Sequence, residues 1–183
     1  MNAATLDESL LAAVAAIVGA ARVSTSLADR ALHSCDVFFG DEGPLVDAVV
    51  RPGSTAEVAA LVRLAAEHGL ALAPRGGGVS YTRGYLPLRT GTLALDLSRM
   101  DAIHELNADD RYVTVGPGVT WQQVDAAAAR HGLRPVLRGP ISGTHSTVCG
   151  AASQNVGPAS MAGIQSLEVV LADGRVLHTG SAA

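Results

Sequence analysis

Three consecutive glycines give residues 75–80 the composition of an anion-binding loop. The segment reads Arg75-Gly-Gly-Gly-Val-Ser80 and follows an apolar run at 70–73. Glycine has no Cβ, so several backbone N–H groups can converge on one anion, and Ser80 adds a hydroxyl donor. The charge of Arg75 favours the same anion, although its side chain could instead pack against the fold. A diphosphate suits this donor set, and a wide surface turn is the structural alternative.

The loop does not match the two best-known nucleotide-binding motifs. A Rossmann fingerprint needs a helix directly after its glycines, whereas Tyr81, Gly84 and Pro87 oppose a helix here. A P-loop needs a lysine, and all 13 basic residues of this chain are arginines. The missing lysine also excludes Schiff-base and pyridoxal phosphate enzymes that react through a lysine amine.

A second segment, residues 138–157, is predicted as a long ordered loop that combines small residues with short polar side chains. Small residues let a backbone lie against a flat ring, while Ser, Thr, Gln and Asn side chains supply hydrogen bonds. The segment carries no charge after Arg138 and contains Ile, Val and Cys, which is unusual for a flexible linker, the structural alternative. His145 and Cys149 are too few for a metal site and are more simply a loop histidine and a small buried thiol.

The elements that position these segments are predicted from apolar periodicity and capping signals. In the first half, residues 5–22 are predicted as a helix capped by Thr5, and residues 24–46 as irregular. There follow a strand over 45–50, a helix over 54–68 that begins at Ser54 and ends at Gly69, and strands over 70–73 and 92–97. This β-α-β-loop-β order is typical of an α/β layer.

The second half is predicted as a separate unit. It contains strands over 102–106 and 112–115, a helix from Thr120 to His131 that includes Trp121, a strand-poor stretch over 134–163, and a hairpin over 167–178.

Charge and cysteine content limit the partners and the compartment. The net charge is −4 and no block of like charge occurs, which argues against nucleic-acid and membrane-surface partners. Two cysteines are too few for a disulfide framework, and the apolar run over 10–21 is too short to span a bilayer. Acidic Asp7 and Glu8 precede that run, where a signal peptide would carry positive charge. The sequence therefore predicts a cytoplasmic protein without a membrane span.

Six segments, in this order and spacing, resemble the FAD-binding domain of the vanillyl-alcohol oxidase and para-cresol methylhydroxylase family. They are Arg51-Pro52 with Ser54 and Glu57-Val58; Pro74-Arg-Gly-Gly-Gly-Val-Ser80; Leu95-Asp-Leu-Ser-Arg-Met-Asp101; Tyr112-Val-Thr-Val-Gly-Pro-Gly-Val-Thr-Trp121; Ser146-Thr-Val-Cys-Gly-Ala-Ala152; and Leu167-Glu-Val-Val-Leu-Ala-Asp-Gly174. The resemblance implies an α/β (α+β) fold with two lobes that clasp FAD. Residues 1–46 would form a helix and irregular lead-in, 47–101 the first lobe with the diphosphate loop, and 102–183 a partial second lobe.

The resemblance also implies which residues bind FAD. The diphosphate loop would contain Pro74, Arg75, Gly76, Gly77, Gly78, Val79, Ser80 and Tyr81. Gly116, Pro117 and Gly118 would lie close to the cofactor. The flavin and ribityl side would be lined by Pro140, Ile141, Ser142, Gly143, Thr144, His145, Ser146 and Thr147, and by Gly150, Ala151, Ser153, Gln154, Asn155 and Val156. No metal site is expected, and no catalytic acid or base is assigned.

The implied function is that of a flavin-dependent oxidoreductase. By resemblance, an alcohol, hydroxy acid or phenol-type substrate would transfer a hydride to flavin N5. Some members attach FAD through a histidine in the glycine loop, and Val79 at that position implies non-covalent FAD, with His145 and Cys149 as the alternative attachment points. Cys149-Gly150 replaces the paired glycines of relatives, and the stretch between Gly157 and Leu167 is shorter than usual and lacks their Tyr-Gly pair.

The resemblance also implies that part of the family's architecture is missing. The substrate domain of relatives is not present in this chain, so the small-molecule substrate would bind through a missing domain or a partner chain. The alternatives are a non-catalytic FAD-binding module or subunit that needs a partner chain, and a cofactor-free degenerate domain.

Overall fold

The computed structural model describes residues 6–38, 43–135, 142–154 and 163–180, which form two compact units. The first unit contains the described residues up to Arg75 together with Ser80–Asp96 and Glu168–Thr179. The second contains Gly76–Val79, the described residues of Leu97–Leu167, and Gly180. The domain boundaries expected at residues 46 and 101 stay a prediction.

A four-stranded sheet forms the centre of the first unit. Its strands are β1 (Val23–Ser24), β2 (Ala48–Val50), β3 (Ala71–Arg75) and β4 (Thr92–Asp96), in the order β1-β2-β4-β3. Strands β2 and β3 both run parallel to β4, and β1 pairs antiparallel with β2. The carboxyl ends of the three parallel strands therefore lie at one edge, where open α/β sheets bind their ligands.

Two amphipathic helices contribute to the core of this unit. Helices α1 (Glu8–Val18) and α3 (Thr55–His68) contact each other. The fully buried side chains of the unit include Val14, Val46, Val49, Val50, Leu61 and Leu93. Since these residues lie on the helix faces and strands that apolar periodicity marks, the predicted α/β layer is confirmed.

The capping signals of α3 are also confirmed. The Ser54 hydroxyl accepts a hydrogen bond from the Glu57 N–H at 3.2 Å, and the Glu57 carboxylate accepts one from the Gly53 N–H at 2.7 Å. The helix ends at Gly69, which adopts the left-handed conformation with φ +66°. At α1 the prediction is less accurate, because the N-cap is Asp7, which accepts from the Leu10 N–H at 2.8 Å, and the helix ends at Val18.

The interpretation of residues 24–46 as irregular is wrong for Ser24, which belongs to β1, and for a helical segment after it. A short helix, α2 (Leu27–Leu32), begins after Ser26, whose hydroxyl accepts from the Asp29 N–H at 3.2 Å. None of its six residues is buried, and the helix is shorter than the roughly 11–18 residues over which apolar periodicity is read.

Among the residues that the structure describes, the second unit contains a two-stranded sheet, two α-helices and a short 3-10 turn at Leu97–Arg99. Strands β5 (Ile103–Asn107) and β6 (Tyr112–Val115) pair antiparallel around the predicted turn. Helix α4 (Trp121–Ala129) begins with a capping box between Thr120 and Gln123. Helix α5 (Val148–Gln154) lies within the segment that the sequence predicts as a loop, so that prediction is wrong for these residues.

The described residues near the C-terminal end form a hairpin. Strands β7 (Leu167–Val170) and β8 (Val176–Thr179) form a two-stranded sheet, as predicted. The Asp173 carboxylate stabilises the turn by accepting from the Arg175 N–H at 3.0 Å. No helix in the described ranges combines the length and the apolar character needed to cross a membrane.

Candidate functional site

In the second unit, the glycine loop 76–79 packs against the turn formed by residues 142–147. A Cβ on Gly77 would overlap the carbonyl oxygen of His145, and a Cβ on Gly76 would overlap the hydroxyl oxygen of Thr147. Gly77 is therefore required by a close approach of two backbones, and Gly76 by its contact with the Thr147 side chain. The third, Gly78, has a φ of +69°, in the left-handed region that glycine adopts without strain.

The loop retains the backbone donors that the sequence analysis assigns to an anion. The N–H groups of Gly77 and Val79 donate to no residue among those that the structure describes. Backbone N–H groups next to a residue in the left-handed conformation form the concave nests that bind phosphate. The local conformation thus suits a phosphate, while the glycines at 76 and 77 are explained by packing.

The turn 142–147 is held by its own hydrogen bonds. The N–H groups of His145 and Ser146 both donate to the Ser142 carbonyl at 2.8 Å, and the Ser142 and Ser146 hydroxyls lie 2.5 Å apart. Thr147 is buried, and its hydroxyl accepts from the Gly150 N–H at 3.1 Å, as an N-cap of α5 does. The Thr144 hydroxyl lies 2.9 Å from Nδ1 of His145.

The same turn also closes the beginning of helix α4. The Trp121 N–H donates to Ser146 O at 3.2 Å and the Gln122 N–H to Gly143 O at 3.0 Å. Thr120 pairs with Thr147 in an isolated antiparallel bridge. Because these carbonyls occupy the first N–H groups of α4, the end of this helix is not open to an anion.

Gly116 and Gly118, expected next to the cofactor, lie against the backbone of residues 97–102. A Cβ on Gly116 would overlap Met100 O, and one on Gly118 would lie 2.5 Å from Leu97 O. Their N–H groups donate to Ala102 O at 2.9 Å and to Met100 O at 3.0 Å. These contacts explain why both positions are glycine. Pro117, between them, is half-buried. A cofactor contact at 116–118 stays a prediction.

In the first unit, Pro74 and Arg75 form the end of strand β3 rather than part of the loop. The Arg75 guanidinium donates to Leu32 O at 2.6 Å and to Cys35 O at 3.4 Å, and lies 5.0 Å from the centre of the Tyr85 ring. Burial raises the pKa of Tyr85, and the nearby Arg75 partly offsets this effect. The sequence allows two roles for Arg75, anion binding or packing against the fold. The observed contacts are packing contacts.

Ser80 and Tyr81 also belong to the first unit. Ser80 is buried, its carbonyl accepts from the Val37 N–H at 3.1 Å, and its hydroxyl lies 3.0 Å from that of Thr82. Tyr81 is exposed, and its ring meets Phe38 edge to face with centroids 6.0 Å apart. The structure therefore divides the predicted diphosphate loop between two units.

Helix α5 carries four more of the predicted site residues and the free thiol of Cys149. Gly150, Ala151, Ser153 and Gln154 lie on this helix. Burial raises the pKa of Cys149, so its thiol is neutral at physiological pH and unsuited to nucleophilic attachment of a cofactor. The predicted residues Pro140, Ile141, Asn155 and Val156 lie outside the described residues.

Sequence reasoning missed a polar cluster at the carboxyl edge of the first unit's sheet. Oδ2 of Asp96 accepts from Arg51 Nε at 3.1 Å and lies 3.4 Å from His33 Nε2. Arg51 also donates to the Asp29 carboxylate at 3.2 Å, and a hydrogen bond from Ser24, supported by the charge of Arg51, lowers the pKa of Asp29. Polar residues at the carboxyl ends of parallel strands, Arg51 and Asp96, were the available signal, but His33 comes from a stretch predicted as irregular.

The chemistry of the second-unit segments suits the diphosphate and polyol chain of FAD. Segments 76–79, 116–118 and 142–154 contain no acidic residue that would repel a diphosphate. They supply backbone N–H groups and hydroxyls, the donors that phosphate and ribityl oxygens need. One buried donor, Nε1 of Trp121, has no hydrogen-bond partner among the described residues. The residues present therefore fit the cofactor.

Comparison with known proteins identifies the family. A family model for an FAD binding domain matches residues 46–180. The chain belongs to this FAD-binding domain family. The resemblance carried by the six sequence segments is confirmed, and FAD is the cofactor of the family.

The curated relatives of this FAD-binding domain include a decarboxylase and a dehydrogenase. The 1'-carboxy-chondrochloren decarboxylase of Chondromyces crocatus is 36% identical over 98% of this chain and 34% of its own length. The D-lactate dehydrogenase of Archaeoglobus fulgidus is 36% identical over 72% of this chain and 30% of its own length. The chain thus spans about a third of the length of these relatives.

Two solved structures share the fold of this FAD-binding domain. The 4-ethylphenol oxidase of Gulosibacter chungangensis, in its isoeugenol complex, is 29% identical with a TM-score of 0.75, over 94% of this chain and 34% of that chain. A substrate-bound p-cresol methylhydroxylase is 20% identical with a TM-score of 0.78, over 94% of this chain and 35% of that chain. The two-lobed α/β fold expected from the resemblance is confirmed.

Proposed function

We propose that the glycine loop 76–79 and the turn 142–147 bind FAD non-covalently, with the diphosphate on the loop. The observation that carries this proposal is that the N–H groups of Gly77 and Val79 have no acceptor among the described residues, in a loop that packs against His145 O. Val79 cannot form a covalent bond to flavin, and the buried thiol of Cys149 is neutral at physiological pH.

We further propose that the protein is a flavin-dependent oxidoreductase acting on an alcohol, a hydroxy acid or a phenol-type substrate. The names of two relatives, D-lactate dehydrogenase and 4-ethylphenol oxidase, support this class. When bound, FAD supplies the two-electron acceptor, with flavin N5 receiving the hydride that the substrate carbon gives up. The contribution of this chain is to bind and orient the cofactor, and the substrate binds through a further domain or a partner chain.

The absorption spectrum of the purified protein tests cofactor binding. We expect a flavin spectrum, and we expect the flavin to stay in the supernatant after acid precipitation. Flavin retained in the pellet would contradict non-covalent binding and would make His145 and Cys149 the candidate attachment points. A colourless protein that takes up no added FAD would overturn the proposal altogether.

Anaerobic reduction tests the activity separately. The FAD-loaded protein, at the full length of its natural chain, is mixed with D-lactate, glycolate or 4-ethylphenol without oxygen. Bleaching of the flavin absorbance by one substrate class supports the oxidoreductase proposal and identifies the class. Normal FAD binding without bleaching by any of them would favour a cofactor-binding module without its own turnover.

The relative named as a decarboxylase favours a second candidate, in which the substrate also loses a carboxyl group. It matches 98% of this chain at 36% identity. Release of labelled carbon dioxide from a carboxylated phenolic substrate, in step with flavin bleaching, would support this candidate.

We place the protein in the cytoplasm as part of the same proposal, in keeping with its two free cysteines.

A further inference from the structure

Helix α2 is attached to the first unit by polar contacts rather than by apolar burial. None of its six residues is buried, and Leu27 and Leu32 are 69% and 56% exposed. Helix α3, by contrast, buries Ala59, Leu61 and Ala65. Because a segment with few buried apolar contacts opens locally at a low free energy, α2 can detach while the core of the unit stays folded.

The strands on either side of β4 contact the segment that contains α2 from their carboxyl ends. Arg51 follows β2 and donates to the Asp29 carboxylate at 3.2 Å. Arg75 is the last residue of β3 and donates to Leu32 O at 2.6 Å. We call residues 26–35 the strap, because these contacts hold the segment across the carboxyl edge of the sheet.

The central strand β4 and residue 46 supply further polar contacts to the strap. Oδ2 of Asp96, the last residue of β4, lies 3.4 Å from Nε2 of His33. The Arg30 Nε–H donates to Val46 O at 2.7 Å, and the Val46 N–H donates to the Ser34 hydroxyl at 2.8 Å. Because the strap is short and its contacts are distributed along it, we expect them to break together.

Arg75 connects the strap to the start of the glycine loop. Its guanidinium also donates to Cys35 O at 3.4 Å and lies 5.0 Å from the centre of the Tyr85 ring. These contacts lie within the first unit, and Gly76 follows Arg75 directly in the chain. A closed strap therefore restrains the residue from which the loop begins.

We propose that the strap opens and closes as one unit, and that in its closed state it orders the start of the glycine loop for FAD. Arg75 is then a positioning residue that acts through the backbone of the loop. This inference rests on the proposed FAD binding. Because such a coupling is reciprocal, bound FAD also stabilises the closed strap.

Hydrogen exchange of the native protein, measured with and without FAD, tests the strap directly. We expect the hydrogen-bonded amides of Asp29, Arg30, His33 and Ser34 to share one free energy of opening, lower than that of the α3 amides. Saturating FAD should slow their exchange about fivefold or more. Strap amides that open only as often as those of α3 would show that the strap has no opening of its own and would overturn the proposal.

Asp29→Asn tests whether ionic contacts hold the strap closed. The change weakens the contact with Arg51, and because both side chains are partly exposed we expect the strap amides to exchange about threefold faster. The α3 amides should be unaffected. The matched control is Asp173→Asn, which weakens an exposed pair with Arg175 in the same unit and should leave strap exchange as in the native protein. Equal strap exchange in the two variants would overturn the ionic anchoring of the strap.

Arg75→Met separates positioning of the loop from direct binding of phosphate by Arg75. The change removes the donors to Leu32 O and Cys35 O, so we expect FAD affinity, measured by calorimetry, to fall about fivefold. Positioning predicts the same factor at low and at high salt. A direct ion pair with the diphosphate is screened by salt, so a smaller factor at high salt would overturn the positioning role. If Arg75→Met does not fold, the exchange of the native protein with and without FAD decides.

The outcomes separate this inference from the proposed function. If FAD binds while strap exchange is the same with and without it, the inference is wrong and the FAD proposal stands. If calorimetry detects no FAD binding to the native protein, the proposed function is wrong and the inference falls with it.

Discussion

The backbone of Gly77 lies directly against the carbonyl oxygen of His145, with no room between them for a Cβ. The two residues come from the two segments that the sequence marks as cofactor-binding. Their contact joins the glycine loop and the hydroxyl-rich turn into one structure in the second unit. The glycine at 77 therefore has a packing role that is separate from the backbone-donor role proposed for it.

Gly77→Ala tests this contact. The added methyl must displace backbone, so we expect the free energy of unfolding to fall by about 1–3 kcal/mol and FAD affinity to fall with it. Chemical denaturation and calorimetry measure the two effects. Gly163→Ala is the control, because a Cβ there meets nothing within 4 Å. Native stability and affinity in Gly77→Ala would show that the loop does not pack in this way.

Thr147→Val tests the anchor of helix α5. The substitution removes the hydroxyl that accepts from the Gly150 N–H at 3.1 Å, and loss of an N-cap costs about 1 kcal/mol. Thr147→Ser keeps the hydroxyl and should retain most of the stability. Equal denaturation midpoints for the Val and Ser variants would contradict the capping role.

The buried thiol of Cys149 should make the folded state less stable in alkaline solution. Burial raises its pKa above the ordinary value of 9.0, so the neutral thiol is favoured in the folded state. This stabilisation is complete below the unfolded pKa and is lost as the pH rises towards the raised value, because the unfolded chain ionises first. Above about pH 9, we expect the free energy of unfolding to fall more steeply with pH in the native chain than in Cys149→Ala. Parallel pH profiles would contradict the raised pKa.

Asp96→Asn tests the polar cluster of the first unit. The change removes the negative charge beside Arg51 and His33, whose side chains are 27% and 6% exposed. Breaking a fully buried ion pair costs roughly 3–5 kcal/mol. Because Arg51 is partly exposed, we expect Asp96→Asn to lower the free energy of unfolding by less, about 2 kcal/mol. Asp173→Asn, in an exposed pair with Arg175, should lower the free energy of unfolding far less, because solvent screens an exposed ion pair. Equal losses in thermal or chemical denaturation of the two variants would contradict the assigned difference.

Local signals predicted the elements whose formation depends on nearby residues. The cap at Ser54, the end of α3 at Gly69 and the hairpin around Asp173 were all readable, because each needs contacts only a few residues apart. The helices α2 and α5 were missed. Helix α2 buries no residue, and α5 is short and includes Gly150, which favours loops.

The sequence by itself determined the family, the α/β class and the segments that belong to the candidate site, since these depend on motifs and on periodicity along the chain. Only the tertiary structure decided what individual residues contact. It paired Gly77 with His145, bound Arg75 to the carbonyls of Leu32 and Cys35, and left the indole N–H of Trp121 without a described acceptor. The physical reason is that each of these contacts joins segments far apart in the chain, or depends on which donors the packed backbone has already satisfied.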